Sequence, residues 1–206
     1  MRMGHEPIIE WMHKYGFGAK TGIELVTEEA SGLVPDEAWK QEVIDEDWYL
    51  GDTINMTIGQ GYMQVTPLQT AVMFAVAANG GHLVTPHLLL DGAESKQWKT
   101  PIGIQPETLK VVKDGLRKVI TSGTGTRLNV PTIPTPAGKS GTAEAPPFES
   151  HTWFGAYAPF EKPEILVVAF GEHSGGGGGS FAAPMVKDVM EVYFNGPPKK
   201  EEKAAE

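Results

Sequence analysis

The run Gly138-Lys139-Ser140-Gly141-Thr142-Ala143-Glu144 sets an ammonium, two hydroxyls and a bare backbone side by side. On an extended strand Lys139 points to one face, while Ser140 and Thr142 point to the other. Gly141 has no side chain, so a ligand can come close to the main chain there. Lys139 could lend positive charge to a neighbouring hydroxyl network and assist proton transfer. Ser140 and Thr142 could hold a carboxylate. A backbone N–H in the run could be one of two oxyanion-hole donors, each worth on the order of 3 kcal/mol in the transition state. These are parts of a serine acyl-transfer site, whose remaining parts are Ser-x-x-Lys, carrying the nucleophile, and Ser-x-Asn. None of Ser31, Ser95, Ser122, Ser140, Ser150, Ser174 and Ser180 is followed by Lys three places on or by Asn two places on. One wall of a site is present without its centre.

Alone, a Lys-Ser-Gly-Thr tetrapeptide is common in ordinary turns, so competing chemistries need exclusion. A phosphate-binding loop ending in Gly138-Lys139-Ser140 would need glycine at position 133, where the chain has Ile133, and prolines occupy the loop. The five glycines from Gly175 to Gly179 lack the strand, helix and acidic residue of a dinucleotide cradle and read as a flexible strand-to-helix connection. The histidines show no metal-ligand spacing, and no cofactor or metal is expected. His151 and Glu149 lie near the motif and could touch a cleft, although surface or packing roles are simpler. The tryptophans read as core or interface residues. Acidic residues outnumber basic ones 26 to 17, a net charge of −9, which excludes the phosphate-neutralising surface of a nucleic-acid-binding protein. The acidic stretch from Glu42 to Asp47 reads as solvated surface. The chain has no cysteine, so thiolate chemistry and disulfides are excluded, and no stretch has the ~18–20 apolar residues of a membrane helix.

The elements that must position the motif follow from periodicity. Pro7 opens a helix with Ile8, Trp11, Met12 and Tyr15 as its stripe, and Gly16 ends it. Residues 16 to 55 read as irregular and turn-rich. Thr66-Pro67-Leu68-Gln69 is a capping box with proline at the first helical position, starting a helix to Ala78 that is apolar almost all round and must be buried on several sides. Pro106 to Thr121 is an amphipathic helix with Leu109, Val112, Leu116, Val119 and Ile120 on one face. Pro131, Pro134 and Pro136 mark the motif as an edge strand. Thr152 to Ala158 and Glu164 to Phe170 are further strands, joined by a turn at Pro159 to Pro163. The apolar run Ile165 to Phe170 predicts a central strand covered on both faces. A last helix from near Pro184 is expected to turn Met185, Val186, Val189, Met190 and Tyr193 inward. Helices followed by three adjacent strands and a helix predict an α+β fold with an antiparallel meander.

Beyond these patterns, long stretches resemble the class B penicillin-binding proteins. They are Tyr15-Gly16-Phe17-Gly18-x-Lys20-Thr21-Gly22-Ile23-Glu24-Leu25, Gly51-Asp52-Thr53-Ile54-Asn55, and Gly59-Gln60-Gly61-Tyr62-Met63-Gln64-Val65-Thr66-Pro67-Leu68-Gln69. Gly125-Thr126, Ala137 to Glu144, Trp153 to Pro159 and the glycine run ending in Ala182-Ala183-Pro184 continue the likeness. Order and spacing match from residue 4 to residue 194, nearest to the elongation-specific penicillin-binding protein 2 branch.

The resemblance implies the C-terminal part of a transpeptidase domain of the penicillin-binding-protein and serine β-lactamase type over residues 1–194, followed by a charged, disordered tail over 195–206. It implies a peptidoglycan D,D-transpeptidase of cell-wall elongation, anchored in the bacterial inner membrane with its catalytic domain in the periplasm. Stem peptides ending in D-Ala-D-Ala and β-lactam antibiotics would be its ligands, and membrane proteins of the elongation complex its partners. Lys139 would then stand near the nucleophile, Ser140 and Thr142 would hold the substrate carboxylate, the Thr142 N–H would enter the oxyanion hole, and Gly141 would permit close approach. Thr53-x-Asn55 lies in a different family segment and is not assigned to the Ser-x-Asn motif. Met1 falls just after the family's place for Ser-x-Asn, so a truncated chain, inactive alone, is one expectation. The other is a non-catalytic module that binds stem peptide or β-lactam or regulates.

Overall fold

Thr66 and Gln69 start the helix around which the chain is arranged. The Thr66 hydroxyl accepts the Gln69 N–H at 3.1 Å, and the Gln69 side-chain oxygen accepts the Thr66 N–H at 2.9 Å. Two otherwise orphaned donors of the first turn are satisfied, and Pro67 sits where no N–H is required. The computed structural model describes residues 4–24, 28–89 and 98–197, and in it this helix runs from Pro67 to Ala78, as predicted. Leu25 of the family-like segment and residues 198–206 of the expected tail lie outside the described residues.

Among the described residues the order is α1 (Glu6–Lys14), α2 (Glu37–Ile44), α3 (Leu50–Thr57), α4 (Pro67–Ala78), β1 (His82–Val84), β2 (Lys99–Pro101), α5 (Pro106–Ser122), β3 (Ala137–Ala145), β4 (Phe148–Ala158), β5 (Ile165–Gly171) and α6 (Ala182–Asn195). β1 and β2 form a small antiparallel pair, and β3, β4 and β5 form the predicted antiparallel meander. The α+β reading holds. The central strand, however, is β4, and the apolar strand β5 lies at an edge of this three-stranded sheet. Its continuous apolarity has another cause: helices cover it on both faces, α4 on one side and α6 on the other. On the α6 side, Phe154, Ala156, Ala158 and Ala169 pack against Ala182, Ala183, Val186 and Met190. Phe154 is fully buried there, and Phe154→Ala is the kind of truncation that costs about 3–5 kcal/mol. On the α4 side, Phe74 lies directly over Gly155.

Other expectations are corrected by burial. In α6, Val186 and Met190 face inward as predicted, but Met185, Val189 and Tyr193 are exposed, because the small residues Ala182 and Ala183 make the inner contact instead. Val112 of α5 is likewise exposed. The segment from 16 to 55 is not wholly irregular, since α2 and α3 fall within it. Asp36 caps α2 by accepting the Trp39 N–H at 2.7 Å, a short signal followed by no clear apolar period.

α3 is fixed by a buried lysine that sequence patterning does not flag. Lys40, 2% exposed, donates to the Asp47 carbonyl at 2.9 Å and to Asp52 Oδ2 at 2.8 Å, with Glu46 at 3.4 Å. Its ammonium also lies over the Tyr49 ring. Asp52 accepts the Tyr49 N–H at 2.8 Å, closing the first turn of α3. The hydrogen bond to Asp52 raises the Lys40 pKa above the ordinary lysine value. Burial opposes ionisation of Asp52, but the bonds from Lys40 and Tyr49 outweigh it and hold the carboxyl below its usual range.

Two predictions follow from these groups. The contribution of Asp52 is present above the carboxylate range and is lost as pH falls through its lowered pKa, while that of Lys40 is lost only as pH rises through its raised one. Asp52→Asn is therefore expected to lower the melting temperature by several degrees near neutral pH and by progressively less in acid, as followed by circular dichroism. A constant deficit at all pH values contradicts the ion pair. Tyr157 lies in the apolar cluster of Ala77, Leu109 and Ala137, and its buried hydroxyl has no partner among the described residues. Burial, with help from Asp114 and Glu161, pushes its pKa up to about 12. Tyr157→Phe is expected to stabilise the chain by about 1 kcal/mol in urea unfolding, because it removes an unpaired buried hydroxyl.

Candidate functional site

β3 emerges from the proline-rich approach as an edge strand, as predicted, pairing only with β4 among the described residues. Lys139 stands opposite Gly155, Ser140 opposite Phe154, Gly141 opposite Trp153 and Thr142 opposite Thr152. Directly opposed residues share a face of the sheet. Lys139 and Gly141 therefore belong to the α4 side, marked by Phe74 over Gly155. Ser140 and Thr142 belong to the α6 side, marked by the buried Phe154. The alternation read from the sequence is the one observed.

A cleft of about 550 Å³ brings the four motif residues together with Trp153 of β4. Its opposite wall is built by Ile58, Gly59 and Val65 after α3, and by Thr70 of α4. Lys139 is exposed in it, and its ammonium donates to the Ser140 carbonyl at 2.6 Å. The ammonium is thus held along the strand. On the other side of β3 the Ser140 and Thr124 hydroxyls are 2.7 Å apart. Thr124 belongs to the turn after α5, which is held by the Gly125 N–H donating to the Val119 carbonyl at 2.9 Å. Thr142 Oγ1 accepts the Gly178 N–H at 3.4 Å, a long bond. Two hydroxyls and a glycine-rich backbone turn thus converge beside an exposed ammonium, a set suited to a carboxylate and to an adjacent carbonyl.

The glycine connection has a steric role that the sequence reading did not assign. At Gly178 a Cβ would collide with the Trp153 carbonyl and lie 2.6 Å from the Gly141 carbonyl oxygen. The connection between β5 and α6 therefore lies against the β3–β4 pair at the motif. Thr124, Gly178, Thr70 and the wall from Ile58 to Val65 were not foreseen. Only the flanking glycines of Gly123-Thr124-Gly125 and the glycine run carried a signal for the first two. Trp153, read as core or interface, lines the cleft and stacks on Phe170 with centroids 4.2 Å apart. His151 and Glu149 are not among the lining residues. The His151 Nδ1 accepts the His173 N–H at 3.0 Å, farther along β4. Among the described residues no group of three His, Cys, Asp or Glu is placed to hold a metal ion.

Comparison with known proteins gives a consistent answer. The family model for the penicillin binding protein transpeptidase domain matches residues 1–191. The chain is 36% identical to the peptidoglycan D,D-transpeptidase MrdA of Haemophilus influenzae, over 94% of this chain and 33% of that protein. It is 33% identical to MrdA of Escherichia coli K12, over 94% of this chain and 34% of that one. The chain thus spans about a third of the length of these curated relatives. Among solved structures it superposes on Pseudomonas aeruginosa PBP2 in complex with WCK 5153 with a TM-score of 0.83 and 34% identity, covering 99% of this chain and 48% of that one. Helicobacter pylori PBP2, in a complex with MreC, gives a TM-score of 0.82 and 32% identity, covering 93% and 36%.

Gly178→Ala tests the steric role of the connection. Its methyl must displace either the connection or the β3–β4 pair, at a cost of about 1–3 kcal/mol. Hydrogen exchange of the Gly141 and Thr142 amides is expected to accelerate, whereas Gly176→Ala, with no protein atom closer than 3.7 Å to its Cβ, leaves those amides unaltered. Equal effects of the two substitutions would refute the assignment.

Proposed function

The chain belongs to the penicillin binding protein transpeptidase domain family, and from that premise we propose that it forms one wall of a peptidoglycan D,D-transpeptidase site. The observation that carries the reading is the placement of Lys139, Ser140, Gly141 and Thr142 on one edge strand that also floors a cleft. A stem peptide ending in D-Ala-D-Ala pairs its main chain with the free edge of β3, as extended peptides do with exposed strands. Its carboxylate takes the hydroxyls of Ser140 and Thr142, and Thr124 orients the first of these. The Thr142 N–H polarises the carbonyl under attack, and the absence of a side chain at Gly141 lets that carbonyl approach. Lys139 supplies positive charge to the network around the attacking serine. That serine comes from a Ser-x-x-Lys segment, which these 206 residues do not contain. β-Lactams enter the same cleft as substrate mimics.

Residues 1–194 act in this reading as part of a transpeptidase domain, with 195–206 as an appended tail. Proteins of the elongation machinery are its partners, a class suggested by the MreC complex of the Helicobacter pylori relative. Its site of action is the periplasmic face of the inner membrane, although no helix among the described residues is long and apolar enough to cross a membrane. A second reading, a module that binds stem peptide or β-lactam without chemistry, is favoured by one detail. The Lys139 ammonium is bonded to a carbonyl and not to a hydroxyl that it could activate.

The two readings share a first test. Intact-mass analysis of the chain incubated with a β-lactam is expected to show no adduct, and an increase of one drug mass overturns both. Reversible binding of a D-Ala-D-Ala peptide, followed by NMR titration, is expected to weaken about tenfold in Lys139→Ala, from the loss of a charged partner. Unchanged affinity removes Lys139 from the site.

A further inference from the structure

The sheet face that carries Lys139 continues past the cleft. α4 reaches this face at Gly155, where Phe74 lies on the backbone. Two and four residues earlier, the same face of β4 carries Trp153 and His151, and β5 places Phe170 directly opposite Trp153. The rings follow one another closely. Trp153 and Phe170 are 4.2 Å apart, Phe170 and His151 5.4 Å, His151 and His173 4.4 Å, and His173 and Phe148 4.7 Å. On β3 the residues opposite this wall are small, with Gly141 facing Trp153 and Ala143 facing His151. A low floor thus runs beside a wall of rings, and it opens from the cleft because Gly141, Ala143 and Trp153 line both.

We propose that this aromatic step is a specificity-determining subsite for a flat apolar group on the amino side of a ligand bound along β3. The inference rests on the reading of β3 as the strand that pairs with a D,D-peptide. A ligand antiparallel to β3, with its carboxylate at Ser140 and Thr142, runs its amino-terminal end past Ala143. An acyl group there meets Trp153 and His151, with Phe170 behind them. Ring faces in offset or tilted contact favour an aromatic group over a small aliphatic one, by about three- to tenfold in affinity.

The test compares N-phenylacetyl-D-Ala-D-Ala with N-acetyl-D-Ala-D-Ala, each titrated into the 206-residue chain and read by 15N NMR, whose spectrum also reports folding of each variant. The aryl peptide is expected to bind about three- to tenfold more tightly. His151→Ala and Phe170→Leu should each move the affinity ratio toward one, whereas Trp153→Phe, which keeps a ring, should retain most of it. Equal affinities of the two peptides overturn the subsite and leave the proposed function standing. An aryl preference that survives both His151→Ala and Phe170→Leu also overturns it. Failure of both peptides to bind overturns the subsite together with the reading of β3 on which it rests.

Discussion

The pairing register of β3 with β4 decides what the motif can do. Lys139 opposite Gly155 and Ser140 opposite Phe154 send the ammonium into an open cleft and the hydroxyl toward Thr124. A slip of one residue would exchange these faces, driving a charged side chain toward the apolar cluster around Phe154 and Ala156 and leaving Lys139 without its cleft. The register is held by packing on both sides. Phe74 seats on a residue that must lack a side chain, Gly155, and Phe154 fills the opposite core. Shifting either by one place puts bulk where there is none to spare. Chemistry at the strand's edge is thus specified by apolar contacts at its partner's centre.

The wall facing Lys139 depends on polar ties over long sequence distances. Gln69, nearly fully buried, donates to the carbonyls of Ala19 and Ser31 at 2.8 and 2.7 Å while its oxygen caps its own helix. One amide thereby joins the segment after α1, the segment before α2 and the start of α4. Lys40 does the same for the turn before α3. Since Ile58 and Gly59 follow directly from α3, the cleft's far side is as well fixed as these two buried side chains are satisfied.

Much of this was legible in the residues, and the rest fails for physical reasons. The capping box at Thr66 and Gln69 fixed the boundaries of α4, because a local signal and an apolar pattern agree there. The motif strand and its alternation were legible because proline spacing and period two coincide. β5 was misplaced because an apolar run records how many faces are covered, not whether both edges are paired. α2 and α3 were missed because their apolar periods are weak, and Lys40 because burial of a lysine depends on partners up to 12 residues away. In α6 the side chains expected to face inward yielded to two alanines, since close approach to the sheet favours small residues. For the site itself, Thr124, Thr70 and Gly178 come from three separate elements, and no spacing rule joins them to Lys139.

A strand that must remain open to a ligand also carries a hazard. The free edge of β3 offers unpaired N–H and C=O groups that another copy of the chain can use as readily as a peptide can. The nine residues of this edge are bounded by proline on both sides, Pro136 before Ala137 and Pro146-Pro147 after Ala145. Proline cannot extend a hydrogen-bonded ladder. Lys139 and Glu144 lie within the interval and add charge to any stacked copy. The same boundaries that define the binding edge therefore cap the length over which molecules can zip together, so colloidal stability and ligand access are settled by one short stretch of chain.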